Sequence, residues 1–299
     1  MNDALNDLSE LRARLVTTSG ARVLALRLSP NHSVSAIHWQ DAYVVTAADA
    51  LRGDDDVEAS GATATVRARV VGVEPAVDVA VLKLSEFAAT TTLPPTDGPE
   101  TGETVGVVGR CADGVLATWG SVKLSAGPWV SQRGGQLDRR LELDVRFDRR
   151  LEGALVLDAT GGAIGMAVPG PRGRVLCIPA STIQRVITAI VQHGHVPRPF
   201  VGLRLQPLWL DRASAASLEL PAHTRSVAVV TAVEPGSPAA AADVRVGDWL
   251  VAAAGSSLTG APAFASVIAC RQPGDVVELS VHRAGARATL KVQIGDRPH

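Results

Sequence analysis

The chain has 299 residues, enough for two domains with separate cores, and 46% of them are hydrophobic against 20% charged. Its 28 Gly and 18 Pro suit many short strands better than a helical bundle, and a net charge of −1 with no long basic run excludes a nucleic-acid footprint. Cys111, Cys177 and Cys270 are odd in number and far apart. They define no disulfide framework and no CxxC metal spacing, and no metal or cofactor is expected.

Leu5, Leu8, Leu11 and Leu15 recur at helical spacing, so residues 3–17 read as one amphipathic helix, its stripe docked on its own domain. The acidic, polar opening to Glu10 carries no apolar signal core, and no run is long enough to cross a bilayer. That predicts a cytoplasmic protein, or a periplasmic one if an export segment precedes Met1. From Ala21 the period changes to two. Leu24, Leu26 and Leu28, the run Ala42-Tyr-Val-Val-Thr46, Thr65–Val71 and Asp78–Leu84 read as strands. Turn signals separate them at Ser29-Pro30-Asn31, Gly53–Asp56 and Pro94-Pro95. Six further strand candidates come next in 104–108, 120–124, 141–145, 154–157, 163–167 and 175–178. Ile183, Val186, Ile187, Ile190 and Val191 then mark a closing helix, with Ser181 as the expected N-cap and Gly194 as its stop. His193 and His195 flank that glycine, and a cation at a helix C-terminus is favoured without any ligand. Val196-Pro-Arg-Pro199 reads as a linker, which gives an extension at 1–20, a first domain at 21–195 and a second at 196–299.

Several segments, in order, resemble the HtrA/DegP family of trypsin-like proteases with PDZ domains. Ala42–Thr46 is similar to the strand that leads to the family's catalytic histidine, and Val77-Asp-Val-Ala-Val-Leu-Lys83 to the segment carrying its aspartate. Gly106-Val-Val-Gly109 resembles the strand ending in the family's G-N-P turn. Gly153-Ala-Leu-Val with Gly162-Ala-Ile-Gly165 resembles the family's segments after the serine, and Ile178-Pro-Ala180 its domain closure. The resemblance implies a mainly β fold, a trypsin-like double β-barrel followed by a PDZ domain, and assembly as an oligomer, typically a trimer.

The motif positions depart from the family at the residues that do chemistry. T-N-x-H reads Thr46-Ala-Ala-Asp49, and G-N-S-G-G-P reads Arg149-Arg-Leu-Glu-Gly-Ala154, which leaves Asp49, Asp78 and Leu151 at the triad positions. Leucine offers no nucleophilic atom, and a carboxylate of ordinary pKa is a poor base at neutral pH. Arg149 and Arg150 are also poor substitutes for glycine in an oxyanion turn. Neither His32 nor His38 occupies a matching position, and Cys111 has no histidine near it in sequence. The expectation is a pseudoprotease. A still-active serine endopeptidase is the alternative, and use of the Asp49–Asp78 cleft for a metal or small ligand is a second alternative.

The PDZ resemblance rests on Phe200-Val-Gly-Leu203, Val227–Ala239 with its E-P-G-S-P-A ending, and Ala242-Asp-Val-Arg-Val-Gly-Asp-Trp-Leu250, where Asp243 replaces the usual glycine at a turn. It implies capture of polypeptide C-termini or unfolded segments, with Phe200, Val201, Gly202 and Leu203 as the carboxylate loop. Phe264, Val267, Ile268 and Arg271 share a helical face that would line the groove. The chain would then act as scaffold, chaperone-like factor or regulator of an active homologue, in contact with neither nucleic acid nor membrane.

Overall fold

A computed structural model describes residues 2–30, 32–51, 56–86, 96, 98–211, 215–216, 220, 225–258, 260–269 and 271–297. Asn31, Gly53–Asp55, Pro94-Pro95 and Cys270 lie outside these. The chain forms two compact units, Met1–Val196 and Pro197–His299.

The first unit opens with α1 (Asn2–Gly20). Only its end is docked: Val16 packs on the core, Leu15 reaches Gly161, and the Arg12 guanidinium lies 5.1 Å from the Trp119 ring centroid. Leu5, Leu8 and Leu11 are exposed, so the leucine stripe does not dock along its length as its spacing suggested. Six strands then close a barrel: β1 (Val23–Ser29), β2 (His32–Gln40), β3 (Tyr43–Thr46), β4 (Val57–Ser60), β5 (Thr65–Glu74) and β6 (Val79–Leu84), in the order β1-β2-β3-β6-β5-β4. Every pairing is antiparallel, and closure leaves no exposed edge. Alternate residues of the strands, among them Leu26, Val34, Val44 and Leu82, fill one interior.

A second closed barrel is built from β7 (Thr104–Cys111) and β8 (Gly114–Ala126), a small hairpin of β9 (Trp129–Val130) and β10 (Gln136–Leu137), then β11 (Arg140–Asp144), β12 (Ala154–Leu157), β13 (Ala163–Pro169) and β14 (Val175–Pro179). Its order is β11-β14-β13-β12-β7-β8. β7 continues through Gly109 and Arg110 to Cys111, so no turn interrupts it where the family's G-N-P turn was expected. Cys111 and Cys177 are both buried, and burial pushes the Cys177 thiol far above its ordinary range, leaving it inert. The closing helix α2 (Ala180–His193) begins two residues earlier than read, with Pro179 rather than Ser181 in the capping position. It ends at Gly194 in the left-handed region, φ 79°, as the sequence required. Ile183, Val186, Ile187 and Ile190 of α2 join residues of both barrels in a shared core.

The second unit pairs β15 (Pro199–Phe200) with β22 (Gly295–Asp296) beside an open sheet. That sheet comprises β16 (Leu203–Trp209), β17 (Ser226–Val233), β18 (Trp249–Ala253), β20 (Val276–Arg283) and β21 (Ala286–Gln293), in that order, with β19 (Ser256–Ser257) paired to β18. Two short helices, α3 (Pro238–Ala241) and α4 (Ala261–Ala269), complete it. Arg271 lies past the end of α4 and is exposed, so it does not share the helical face assigned to it.

Asp243 takes φ 57°, which a short polar side chain tolerates better than most. Its carboxylate accepts from Arg245 and Arg283, and its carbonyl accepts from Arg283 Nη2 at 2.6 Å. Arg283 also grips Asp248 in two bonds of 2.7 Å. Burial pushes the Asp248 carboxyl up, but those bonds and the Arg245 N–H outweigh it and hold its pKa below the ordinary value. Asp248 is 1% exposed, so removing its partner strands a buried charge. Arg283→Met is expected to cost the second unit about 3 kcal/mol in urea unfolding, and an unchanged midpoint would exclude this ion pair as its staple.

Candidate functional site

In the first unit, the three residues that the sequence resemblance puts at the triad positions, Asp49, Asp78 and Leu151, sit in different surroundings. Asp49 lies in a 3-10 turn (Ala48–Ala50) after β3, and Asp78 immediately precedes β6 with φ 59°. The pairing of β3 with β6 brings them together, and the Asp49 N–H donates to Asp78 Oδ1 at 2.8 Å. The Asp49 carboxylate turns outward onto Arg133, which donates from Nη1 at 2.7 Å and Nη2 at 3.1 Å. Arg133 comes from the β9–β10 loop, which is fixed against Ala76 by the Ser131 hydroxyl. A protein cation is thus paired with the outer carboxylate, Asp49, and none is bonded to Asp78 among the described residues. Among the described residues no group of three or more His, Cys, Asp or Glu is arranged to hold a metal.

Asp78 is pushed up to about 6, first by burial and then by the nearby Asp49 and Glu152 charges, against the Asp49 N–H and Arg133, which lower it. Burial likewise raises Glu152, which is 8% exposed. His38 is buried on β2 with its ring on the Asp41 carbonyl, away from this pair.

Leu151 points elsewhere. It is 4% exposed and belongs to the core of the second barrel with Leu141, Ala154 and Ile164, burial worth about 2 kcal/mol. It ends a 3-10 turn, Arg149–Leu151, in which the N–H of Arg150 donates to Asp148 Oδ1, that of Leu151 to the Asp148 carbonyl and that of Glu152 to the Arg149 carbonyl. The Gly153 N–H bonds to the Ala167 carbonyl. Four successive N–H groups are therefore committed inside the protein, where an oxyanion hole needs donors aimed at a reacting atom. The Arg150 guanidinium holds the Asp148 carboxyl down at about 2, so the cap is ionised at neutral pH.

Sequence reasoning missed Ser35. This fully buried residue of β2 donates its hydroxyl to the Arg150 carbonyl at 2.6 Å and accepts from the Arg110 N–H at 3.1 Å. Its own N–H donates to the Glu152 carbonyl at 2.9 Å, and its carbonyl accepts from Thr46 Oγ1. Gly153 (φ 81°) must be glycine, since a Cβ there would meet the Ser35 carbonyl oxygen at 2.2 Å. The 149–153 turn is thus bolted to the first barrel through one residue, by its hydroxyl and its N–H.

In the second unit, Gly202 has φ 79°, and a Cβ there would meet Ser237 Cβ at 2.2 Å. The Val201 carbonyl accepts from Ala239 N and the Gly202 carbonyl from Glu234 N. The Glu234–Ala239 turn, capped by Ser237 Oγ on Ala240 N, therefore draws both carbonyls to one side. Among the described residues neither the Val201 nor the Gly202 N–H has a backbone acceptor, which leaves consecutive donors on the opposite side. Val201 is buried, while Phe200 and Leu203 are half-buried. Helix α4 lies beside β15, β16 and β17. It buries Phe264 and Ile268 in the core and leaves Val267 half-buried at the surface.

Residues 34–166 match the trypsin-like peptidase domain family and 229–283 the PDZ domain family. The chain belongs to the HtrA/DegP-like family. It is 25% identical over 246 residues to a probable periplasmic serine endoprotease DegP-like of Rhizobium meliloti, covering 77% of this chain and 46% of that one. It is 26% identical over 280 residues to the serine protease Do-like HtrA of Lactococcus lactis subsp. cremoris, covering 85% and 67%. It spans about half the length of the DegP-like relatives. An HtrA-type protease AlgW structure with a decapeptide superposes with TM-score 0.71 at 22% identity, covering 96% of this chain and 99% of that one. The serine endoprotease from Yersinia pestis gives 0.69 at 18% identity, covering 96% and 98%. These likenesses show the fold. Among the described residues no helix is long and apolar enough to cross a membrane.

Because Asp78 binds its proton more tightly folded than unfolded, its ionisation opposes folding. That stabilisation is full below the unfolded value near 4 and is lost as pH rises through about 6. Asp78→Asn keeps the acceptor for the Asp49 N–H without the charge. Wild-type stability relative to the variant is expected to fall between about pH 4 and 6 and then level off, as measured by urea denaturation across that range.

Proposed function

We propose that this chain is a non-catalytic member of its family that captures polypeptide C-termini in its second unit, as scaffold, chaperone-like factor or regulator of an active homologue. The observation that carries this reading is the 149–153 turn. Its side chain at the serine position is a core leucine, and its N–H groups from Arg150 to Gly153 are spent on internal acceptors. Peptide-bond cleavage needs a hydroxyl or thiol nucleophile, a base and oxyanion donors in one place. Here Asp49 and Asp78 face each other across a backbone bond, with Arg133 on the outer one.

The loop Phe200–Leu203 supports the binding half of the proposal, because its positive-φ glycine and displaced carbonyls leave adjacent N–H groups for a carboxylate. Phe264, Val267 and Ile268 of α4 would supply an apolar wall, with Val267 the residue most open to a ligand side chain. The periplasmic names of several relatives favour that compartment over the cytoplasm.

The relatives named as serine endoproteases favour a second reading, an active endopeptidase. A casein digest with and without a serine-directed fluorophosphonate separates the two. Neither cleavage nor labelling is expected, and cleavage together with labelling would overturn the assignment of Leu151. Leu151→Ser alone, or combined with Asp49→His, is expected to remain inactive and to lose about 3 kcal/mol of stability from the cavity it opens. For the second unit, peptides with an apolar last residue and a free C-terminus should bind, and amidation should weaken them at least tenfold by fluorescence anisotropy. Equal binding of both forms would remove carboxylate capture.

A further inference from the structure

The second unit's open sheet leaves β16 as an edge strand, the one beside α4 and directly after the carboxylate loop. Which of its backbone groups face outward can be read from the ladder. Val230 sends its N–H and C=O toward the β18 side, to the Asp248 carbonyl and the Gly247 N–H. Ala228 lies two residues earlier and faces the same way, so Leu205 and Pro207, which stand opposite Val230 and Ala228, receive no ladder bonds from them. From the other end, the Leu210 N–H donates to the Arg225 carbonyl and the Gly202 carbonyl accepts from Glu234 N. Even-numbered residues of β16 thus point into the sheet. Leu203, Leu205, Pro207 and Trp209 point out. The irregularity between Arg204 and Leu205 adds its extra residue, Thr231, to β17 and leaves this alternation intact.

Proline has no N–H, and at the outward position 207 its ring stands where a donor to an added strand would be. We propose that Pro207 terminates strand addition at β16, so that the groove reads about the last four residues of a C-terminal peptide and no more. This rests on carboxylate capture by the Phe200–Leu203 loop. With the carboxylate there, an antiparallel peptide sets its last residue opposite Leu203, the residue two earlier opposite Leu205 and the residue four earlier opposite Pro207. Leu205 exchanges both backbone bonds with its partner. Pro207 accepts one and gives none, and its Cδ pushes the peptide off the edge, so residues farther from the C-terminus gain nothing from the ladder. The partner that fits is therefore a polypeptide with a short accessible tail, rather than a long extended segment. The same proline stops the edge from pairing with the edge of a second copy.

The test uses the full chain. An array of immobilised peptides with free C-termini and three apolar last residues selects a sequence, from which a nested series of four, six and eight residues is made for fluorescence anisotropy. For the wild type, lengthening from four to eight residues should change Kd less than twofold. Pro207→Ala restores one backbone donor and should make the eight-residue peptide tighter by roughly fivefold, while leaving the four-residue peptide unchanged. Peptide N-methylation probes the same ladder without altering the protein. At the residue opposite Leu205 it should weaken wild-type binding more than tenfold, and at the residue opposite Trp209 it should do nothing.

A wild-type affinity that climbs with every added pair of residues, or a sensitivity to N-methylation opposite Trp209, would overturn the length limit while leaving carboxylate capture standing. Failure of every free-carboxylate peptide to bind, or equal binding of amidated ones, would overturn the capture reading and the limit with it.

Discussion

A β-sheet either closes on itself or leaves an edge, and this constraint organises both units. Each six-stranded sheet of the first unit closes, so every strand has two neighbours and no backbone row is offered to a partner. Chemistry there must come from side chains and loops between strands. The sheet of the second unit stays open, and the strand at its margin continues directly from a loop with two N–H groups turned outward. Backbone addition, in the reading proposed above, would use that margin.

In the barrels, the turns around Asp49 and Leu151 are tied into the surrounding structure. Asp148, ionised and held by Arg150, caps a tight turn whose N–H groups from Arg150 to Gly153 find internal acceptors. Leu151 anchors the turn by burial, and Ser35 ties it to the neighbouring barrel. Donors committed in this way are not aimed at a reacting atom. The Asp49–Asp78 contact is the converse case. Two acids are held together by a backbone bond, and the buried one is kept reluctant to ionise mainly by desolvation, with its neighbour's charge a lesser cause.

Much of this was legible in the residue order. Period-two apolar runs placed the barrel strands, the i, i+3, i+4 pattern and Gly194 placed α2, and E-P-G-S-P-A placed the turn that holds the Phe200–Leu203 loop. Local signals failed where one residue's role was decided by a distant one. Ser181 is a good capping residue in isolation, yet β14 runs to Pro179 and the helix starts immediately after it. The leucine stripe of α1 predicted a docked face, but only the Arg12–Gly20 end meets the barrels. Arg133 and Ser35 gave no sign of importance, because their partners lie 84 and 115 residues away in sequence.

The sequence by itself determined the mainly β organisation in two parts and the family, because these depend only on residue identity and spacing. Tertiary structure decided what surrounds Asp49, Asp78 and Leu151. Whether Leu151 faced a cleft or a core, whether the Asp49 N–H reached the Asp78 carboxylate, and whether Pro207 faced its sheet or the open edge all depend on register and closure. Those are set by pairing between distant strands, and a one-residue slip would reverse the outward face of β16.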